Sequence, residues 1–154
     1  MPHYMKEKLV YEYAPYNVLL FTANSTINSK GKLVMGAGTA KVVRDTYPGI
    51  DAELGKLIPH LSTFGLCIID TGAEMGAEGE LQPKFGAFQT KTLWWRESTL
   101  DLISYSVEKL GNWANNNKHF DIGLPFPGVG NGGLSRSQVL PLLEGLPNNV
   151  YIHG

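Results

Sequence analysis

The chain reads as an α/β protein built on a mixed sheet of about six strands with helices on both faces, and three observations predict this. Short apolar runs of strand length, bounded by turn residues, recur along its 154 residues. Segments with helical spacing fall between them, giving the order β-β-α-α-β-β-α-β-α-β. Two glycine-rich turns, Met35-Gly36-Ala37-Gly38-Thr39-Ala40 and Pro127-Gly128-Val129-Gly130-Asn131-Gly132-Gly133-Leu134, stand where strands hand over to helices.

The strands are expected at Lys8–Tyr13, Val18–Ala23, Gly65–Asp70, Phe85–Thr90, Asp121–Pro125 and Val150–His153. The first helix is expected over Gly38–Tyr47, with Ala40, Val43 and Tyr47 on one face, and the second over Ile50–Ile58. The third, Thr99–Asn116, is the best delimited. Ser98-Thr99-Leu100-Asp101 reads as an N-cap with its carboxylate, the Asn115-Asn116-Asn117 run is a polar exit, and Leu102, Ile103, Val107, Leu110 and Trp113 form an apolar stripe. The fourth covers Ser137–Glu144. Residues Thr71–Pro83, with three glycines, three glutamates and no apolar period, read as a surface loop or hairpin connection.

Composition narrows the function classes. With 43% hydrophobic residues the chain can bury the core of one domain, and a formal charge of −1 argues against a strongly basic nucleic-acid binder. A short single-stranded or modified nucleic acid remains open as a substrate. The single cysteine, Cys67, lies in an apolar run and reads as a buried thiol, so no disulfide framework or cysteine-rich zinc site is expected. The four histidines are scattered without metal-ligand spacing, and neither a metal nor a cofactor is called for. No run of eighteen apolar residues and no signal-peptide core occurs, so a soluble, cytoplasmic protein is expected.

The glycine turns carry the chemistry. Glycine lets a ligand approach main-chain N–H groups closely, and a following helix start adds partial positive charge, so two such turns suit a diphosphate gripped from both sides. In open α/β sheets ligands lie beyond the carboxyl ends of the strands, which permits a shared cleft. Neither turn is a Walker loop or a Gly-x-Gly-x-x-Gly dinucleotide fingerprint, and no Gly-x-Ser-x-Gly elbow occurs.

Asn24, the first turn, the segment Phe88-Gln89-Thr90-Lys91-Thr92-Leu93-Trp94-Trp95-Arg96-Glu97-Ser98 and the segment Leu124–Leu134 follow one another in an order that resembles the macrodomain superfamily. Within it the chain is similar to the branch that holds the DarG DNA ADP-ribosyl glycohydrolase and the terminal ADP-ribose protein glycohydrolase. The resemblance runs from about Val18 to Ile152. It implies a three-layer α/β/α sandwich that binds ADP-ribose between the two turns. On this likeness Met35, Gly36, Ala37, Gly38, Thr39 and Ala40 face the diphosphate and distal ribose from one side. Pro127, Gly128, Val129, Gly130, Asn131, Gly132, Gly133 and Leu134 close from the other, with Thr90 beside them.

Two residues are implied as catalytic. Asn24, by itself a strand-end turn residue, matches an asparagine close to the distal ribose. Lys91, by itself a solvated charge, matches a lysine that stabilises or attacks C1″ of that ribose. Of Trp94 and Trp95, one ring is expected to pack on the core and the other to line the cleft or stack on a base, while Arg96 bridges to a phosphate or pairs with Glu97 or Asp101. The sequence departs from the family pattern in three places. Only Glu12 stands near the place of the acid that reads adenine, Gly132 replaces the extra aspartate of the protein glycohydrolase, and Ser135-Arg136 replaces an acid and an aromatic, leaving Ser135 to cap the helix and Arg136 to add a cation near the cleft mouth.

The resemblance therefore implies an ADP-ribose-binding domain that hydrolyses an ADP-ribosyl linkage. Removal of phosphate from ADP-ribose 1″-phosphate and non-catalytic reading of ADP-ribose are the alternatives. The partner expected is ADP-ribose or an ADP-ribosylated macromolecule, single-stranded DNA included; a monomer and no membrane association are expected.

Overall fold

The computed structural model describes residues 1–12, 15–69 and 83–154. The strands are β1 (His3–Met5), β2 (Val18–Ala23), β3 (Leu66–Ile69), β4 (Lys84–Gln89), β5 (Ile122–Pro125) and β6 (Val150–His153). The helices are α1 (Gly38–Thr46), α2 (Ile50–Leu57), α3 (Leu100–Asn115) and α4 (Arg136–Leu143), with short 3₁₀ turns at Ile58–His60 and Gly130–Gly132.

One six-stranded sheet runs in the order β1-β6-β5-β2-β4-β3. Every pairing is parallel except β3 on β4, which makes the sheet mixed. Strands buried on both faces need continuous apolar runs, and β2 shows the consequence. Leu19 and Phe21 point into a core shared with Val43 of α1 and Leu54 of α2, while Val18 and Leu20 point into a second core with Ile103 and Leu110 of α3 and Val139 and Leu143 of α4. The result is a three-layer α/β/α sandwich. Each such fully buried aliphatic or aromatic side chain contributes about 1.5–3 kcal/mol of transfer free energy.

Local chemistry sets the helix boundaries. The Thr99 hydroxyl accepts from the Leu102 amide to cap α3, and Ser135 and Gln138 form a reciprocal capping box on α4. Pro59, which has no N–H to continue α2, coincides with its tightening into a 3₁₀ turn. Tyr47 ends α1 with its ring 4.1 Å from that of Phe85, and Cys67 is buried on β3 as a free thiol.

One expected strand is elsewhere. The first strand is His3–Met5 along β6, and the Lys8–Tyr13 segment is not a strand where it is described. Its alternating pattern arises because Leu9 and Tyr11 turn inward from a loop, the Tyr11 hydroxyl donating to the Leu20 carbonyl at 2.7 Å. Tyr13, Asp70 and all of the expected 71–83 loop except Pro83 lie outside the described residues. The first glycine turn also does not follow its strand directly. Residues 24–34 intervene, closed on themselves by an isolated bridge between Ile27 and Leu33.

Candidate functional site

A cavity of about 820 Å³ opens beyond the carboxyl ends of β2, β4, β5 and β6. In an α/β sheet this is the edge where successive loops converge, so residues distant in sequence meet there. Of the expected residues, Asn24, Gly36, Ala37, Gly38, Thr39 and Ala40 line it. So do Thr90, Lys91, Gly128, Val129, Gly130, Asn131 and Gly132. Met35, Pro127, Gly133 and Leu134 do not: Met35 is 2% exposed within the α1–α2 core, and Leu134 packs on the α3–α4 core while its amide donates to the Gly128 carbonyl.

The two turns face each other. A Cβ placed on Gly38 would lie 3.5 Å from the Asn131 Nδ2, so the first turn and the second approach to side-chain contact across the cleft. The first is exposed at Gly36, Ala37 and Gly38, where α1 begins, and Thr39 clips it to the sheet through bonds to the Thr22 amide and hydroxyl at 3.2 Å each. The second is packed from beneath. Gly128 holds φ +82°, and a Cβ there would sit 2.5 Å from Ile103 Cδ1, so both conformation and space demand glycine. At Gly132 a Cβ would meet the Ser98 hydroxyl at 2.5 Å, so any side chain at this position would have to displace Ser98.

At the β2–β4 end, Asn24 is buried, its amide donating to the Val34 carbonyl at 3.0 Å and its Oδ1 accepting from the Thr26 amide at 2.9 Å. These bonds fix the side chain while leaving one N–H and one lone pair for a ligand. Lys91 follows β4, half-buried, with its amide and that of Thr90 both directed at the Ala23 carbonyl. The loop after it is stapled to the loop after Asn24: the Thr92 carbonyl accepts from Ser25 and Thr26, and the Trp94 amide donates to Thr26 Oγ1. Downstream, the Ser98 amide donates to the Gly132 carbonyl at 2.9 Å, tying this segment to the second turn. The Ser98 hydroxyl is buried and has no hydrogen-bond partner.

The tryptophans differ from expectation. Both are open to solvent, Trp94 at 54% and Trp95 at 59%, and neither packs in a core; Trp94 lines the cavity while Trp95 carries the Arg96 guanidinium 4.7 Å from its ring centre. Arg96 therefore makes neither of the expected carboxylate pairs among the described residues. Glu12 is exposed and does not line the cavity.

Six further residues line the cavity from five separate segments. Ser98 and Phe126 fall within the segments that carry the resemblance and Arg136 is the cation expected near the cleft mouth, whereas Lys8, Tyr11 and His153 carry no signal in the sequence and only the fold brings them there. Burial pushes the Tyr11 phenol well above its usual range, only partly offset by Thr39. His153, buried at the end of β6, is held through both ring nitrogens, by the Tyr16 hydroxyl at 2.6 Å and the Glu7 carbonyl at 3.0 Å. A carbonyl only accepts, so Nδ1 carries the proton and, in the neutral ring, Nε2 accepts from Tyr16.

A sandwich of this topology with a cleft between two glycine turns at the strand ends defines the macrodomain architecture. The solved macrodomain of Mycobacterium tuberculosis DarG matches with a TM-score of 0.74 at 23% identity, over 99% of this chain and 98% of that one. The macrodomain of Thermus aquaticus DarG matches with 0.74 at 22%, over 100% and 98%. DarTG of Thermosipho africanus, solved in complex with ADP-ribose, matches with 0.70 at 22%, over 90% of this chain and 38% of that one. No protein-family model and no curated protein sequence matches. The chain has the macrodomain fold, close in structure to the DarG macrodomains.

Proposed function

We propose that the protein binds ADP-ribose, free or attached to a macromolecule, and hydrolyses an ADP-ribosyl linkage with Lys91 at C1″ of the distal ribose. One observation carries this reading: Lys91 and Asn24 share one end of a cavity whose middle is walled by two opposed glycine turns. The main-chain amides of the turns would hold the diphosphate, as glycine-lined helix starts do. Such a grip leaves the terminal sugar beside Lys91, where an amine can stabilise the positive charge that develops at C1″ as its bond to the macromolecule breaks, or attack C1″ and be displaced in turn by water. The macromolecule leaves with a proton, and water supplies the hydroxyl of the product. Asn24 would orient the ribose hydroxyls through its remaining donor and acceptor. The ADP-ribose complex of the Thermosipho protein supports the ligand assignment by analogy of fold.

A second reading, a reader that binds without turnover, is favoured by one feature. Gly132 leaves no room for an acid in the second turn, so no carboxylate accompanies Lys91 from that side. The test presents ADP-ribosylated single-stranded DNA, ADP-ribosylated protein and ADP-ribose 1″-phosphate to the protein and to Lys91→Ala. Release of ADP-ribose that disappears in Lys91→Ala is the expected result. Binding without turnover selects the reader, and release of phosphate alone selects the phosphatase.

A further inference from the structure

We infer that the cavity takes a nucleoside diphosphate sugar bearing an additional phosphate monoester on its nucleoside ribose, held between Lys8 and Arg136. This deepens the proposed function and rests on its ligand assignment. The strand order places Lys91 at the end of β4 and His153 at the end of β6, three strand spacings or about 14 Å away. A ligand with its sugar at Lys91 and its diphosphate between the turns, over β2 and β5, thus brings its nucleoside to the β5–β6 end.

Two cations line that end. Phe126 and His153 are joined there by the Phe126 amide, which donates to the His153 carbonyl at 2.8 Å. Lys8 arrives beside Glu7, whose carbonyl binds His153, and Arg136 arrives from the first residue of α4 with its guanidinium 4.0 Å from the Phe126 ring centre. Both cations line the cavity, and among the described residues no aspartate or glutamate does. The ion pairs found among the described residues involve Lys41, Arg44 and Asp45, so neither Lys8 nor Arg136 is neutralised by a described carboxylate. His153, with both nitrogens engaged, has no ring nitrogen left over for the ligand.

Lysine and arginine donate hydrogen bonds and accept none, so this end cannot recognise an exocyclic amino group as a carboxylate would. Both side chains are exposed, and a neutral base beside them would leave the positive charge of the pair unmatched. A phosphate monoester carries about −1.5 to −2 charge at neutral pH and accepts from several donors. Arginine spends its flat face on Phe126 and keeps the edge of its fork for such a group, the same use an arginine finds beside a 2′-phosphate in dinucleotide folds.

The test is calorimetric titration with ADP-ribose and with ADP-ribose 2′-phosphate, on the parent protein, Lys8→Gln, Arg136→Gln and the double variant. The parent should bind the 2′-phosphate form about tenfold more tightly, a preference that weakens with added salt and falls toward unity in the double variant. Equal or weaker binding of the 2′-phosphate form beside measurable ADP-ribose binding overturns this inference and leaves the proposed function intact. A preference undiminished in the double variant also overturns it. Absence of binding by either compound overturns the ligand assignment itself, and the inference falls with it.

Discussion

The two glycine turns that wall the cavity have opposite reasons for their glycines. Around Gly36 a Cβ would meet nothing within 4 Å, and its backbone is not left-handed; in the second turn, Gly128 and Gly132 are pressed against Ile103 and Ser98. At Gly36 the first turn keeps its main chain bare toward the cleft, whereas at Gly128 and Gly132 the second is bare because the fold beneath leaves no space. Gly38 and Gly130, both at positive φ with no atom closer than 3.5 Å, need glycine for conformation alone. A glycine-rich motif therefore combines positions open toward a cavity with positions closed by a core, and only the surroundings distinguish them.

The largest effect should come from the second turn. Gly128→Ala forces a side chain into a left-handed conformation against Ile103 Cδ1, and a loss of about 3 kcal/mol in denaturant unfolding is expected. A loss under about 0.5 kcal/mol would erase the contrast between the turns. Gly132→Asp should cost about 2 kcal/mol by pressing on the Ser98 hydroxyl, and Ser98→Ala in the same chain should recover part of it. If the two costs simply add, the contact with Ser98 is not the cause.

Gly36→Ala should leave stability within about 0.5 kcal/mol and instead weaken ADP-ribose binding about tenfold, because the new methyl stands in the cavity. Stability lost with affinity kept would reverse the assignment. The smallest effect concerns Tyr11, which donates to Leu20 beneath the first turn. Its folded phenol titrates higher than the unfolded one, because burial disfavours the phenolate. That stabilisation is complete below the unfolded value near pH 10 and is lost as pH rises beyond it, at up to about 1.4 kcal/mol per unit. Tyr11→Phe should flatten part of the alkaline decline in urea midpoints, only part because Tyr4, Tyr16 and Tyr47 are raised as well.

Strands and helices buried on a continuous face were legible. The apolar runs of β2, β4, β5 and β6 place those strands within a residue or so, since burial on both faces leaves an unbroken hydrophobic signature. Strand β1 escaped because His-Tyr-Met is short and mostly exposed, and it takes its order from pairing with β6 and from the His3 ring stacked 4.5 Å from Tyr151. Trp94 and Trp95 misled because ring size suggests burial, whereas hydrogen bonds of the Thr92 carbonyl and the Trp94 amide with Ser25 and Thr26 hold their loop in place while both rings stay open to solvent. In the site, Asn24, Lys91 and the turns stand out as a sequential pattern. Lys8, Tyr11 and His153 do not, because their proximity depends on strand order, which no local pattern encodes.

The Ser98 amide bonded to the Gly132 carbonyl, and the Thr99 amide directed at the Thr90 carbonyl, join the second turn and the end of β4 to the start of α3. Displacement of either relative to α3 by an arriving molecule stretches one of these two bonds. A nitrogen-15 spectrum therefore has two built-in reporter resonances on the outer helix layer, readable without attaching a fluorophore or disturbing the cleft.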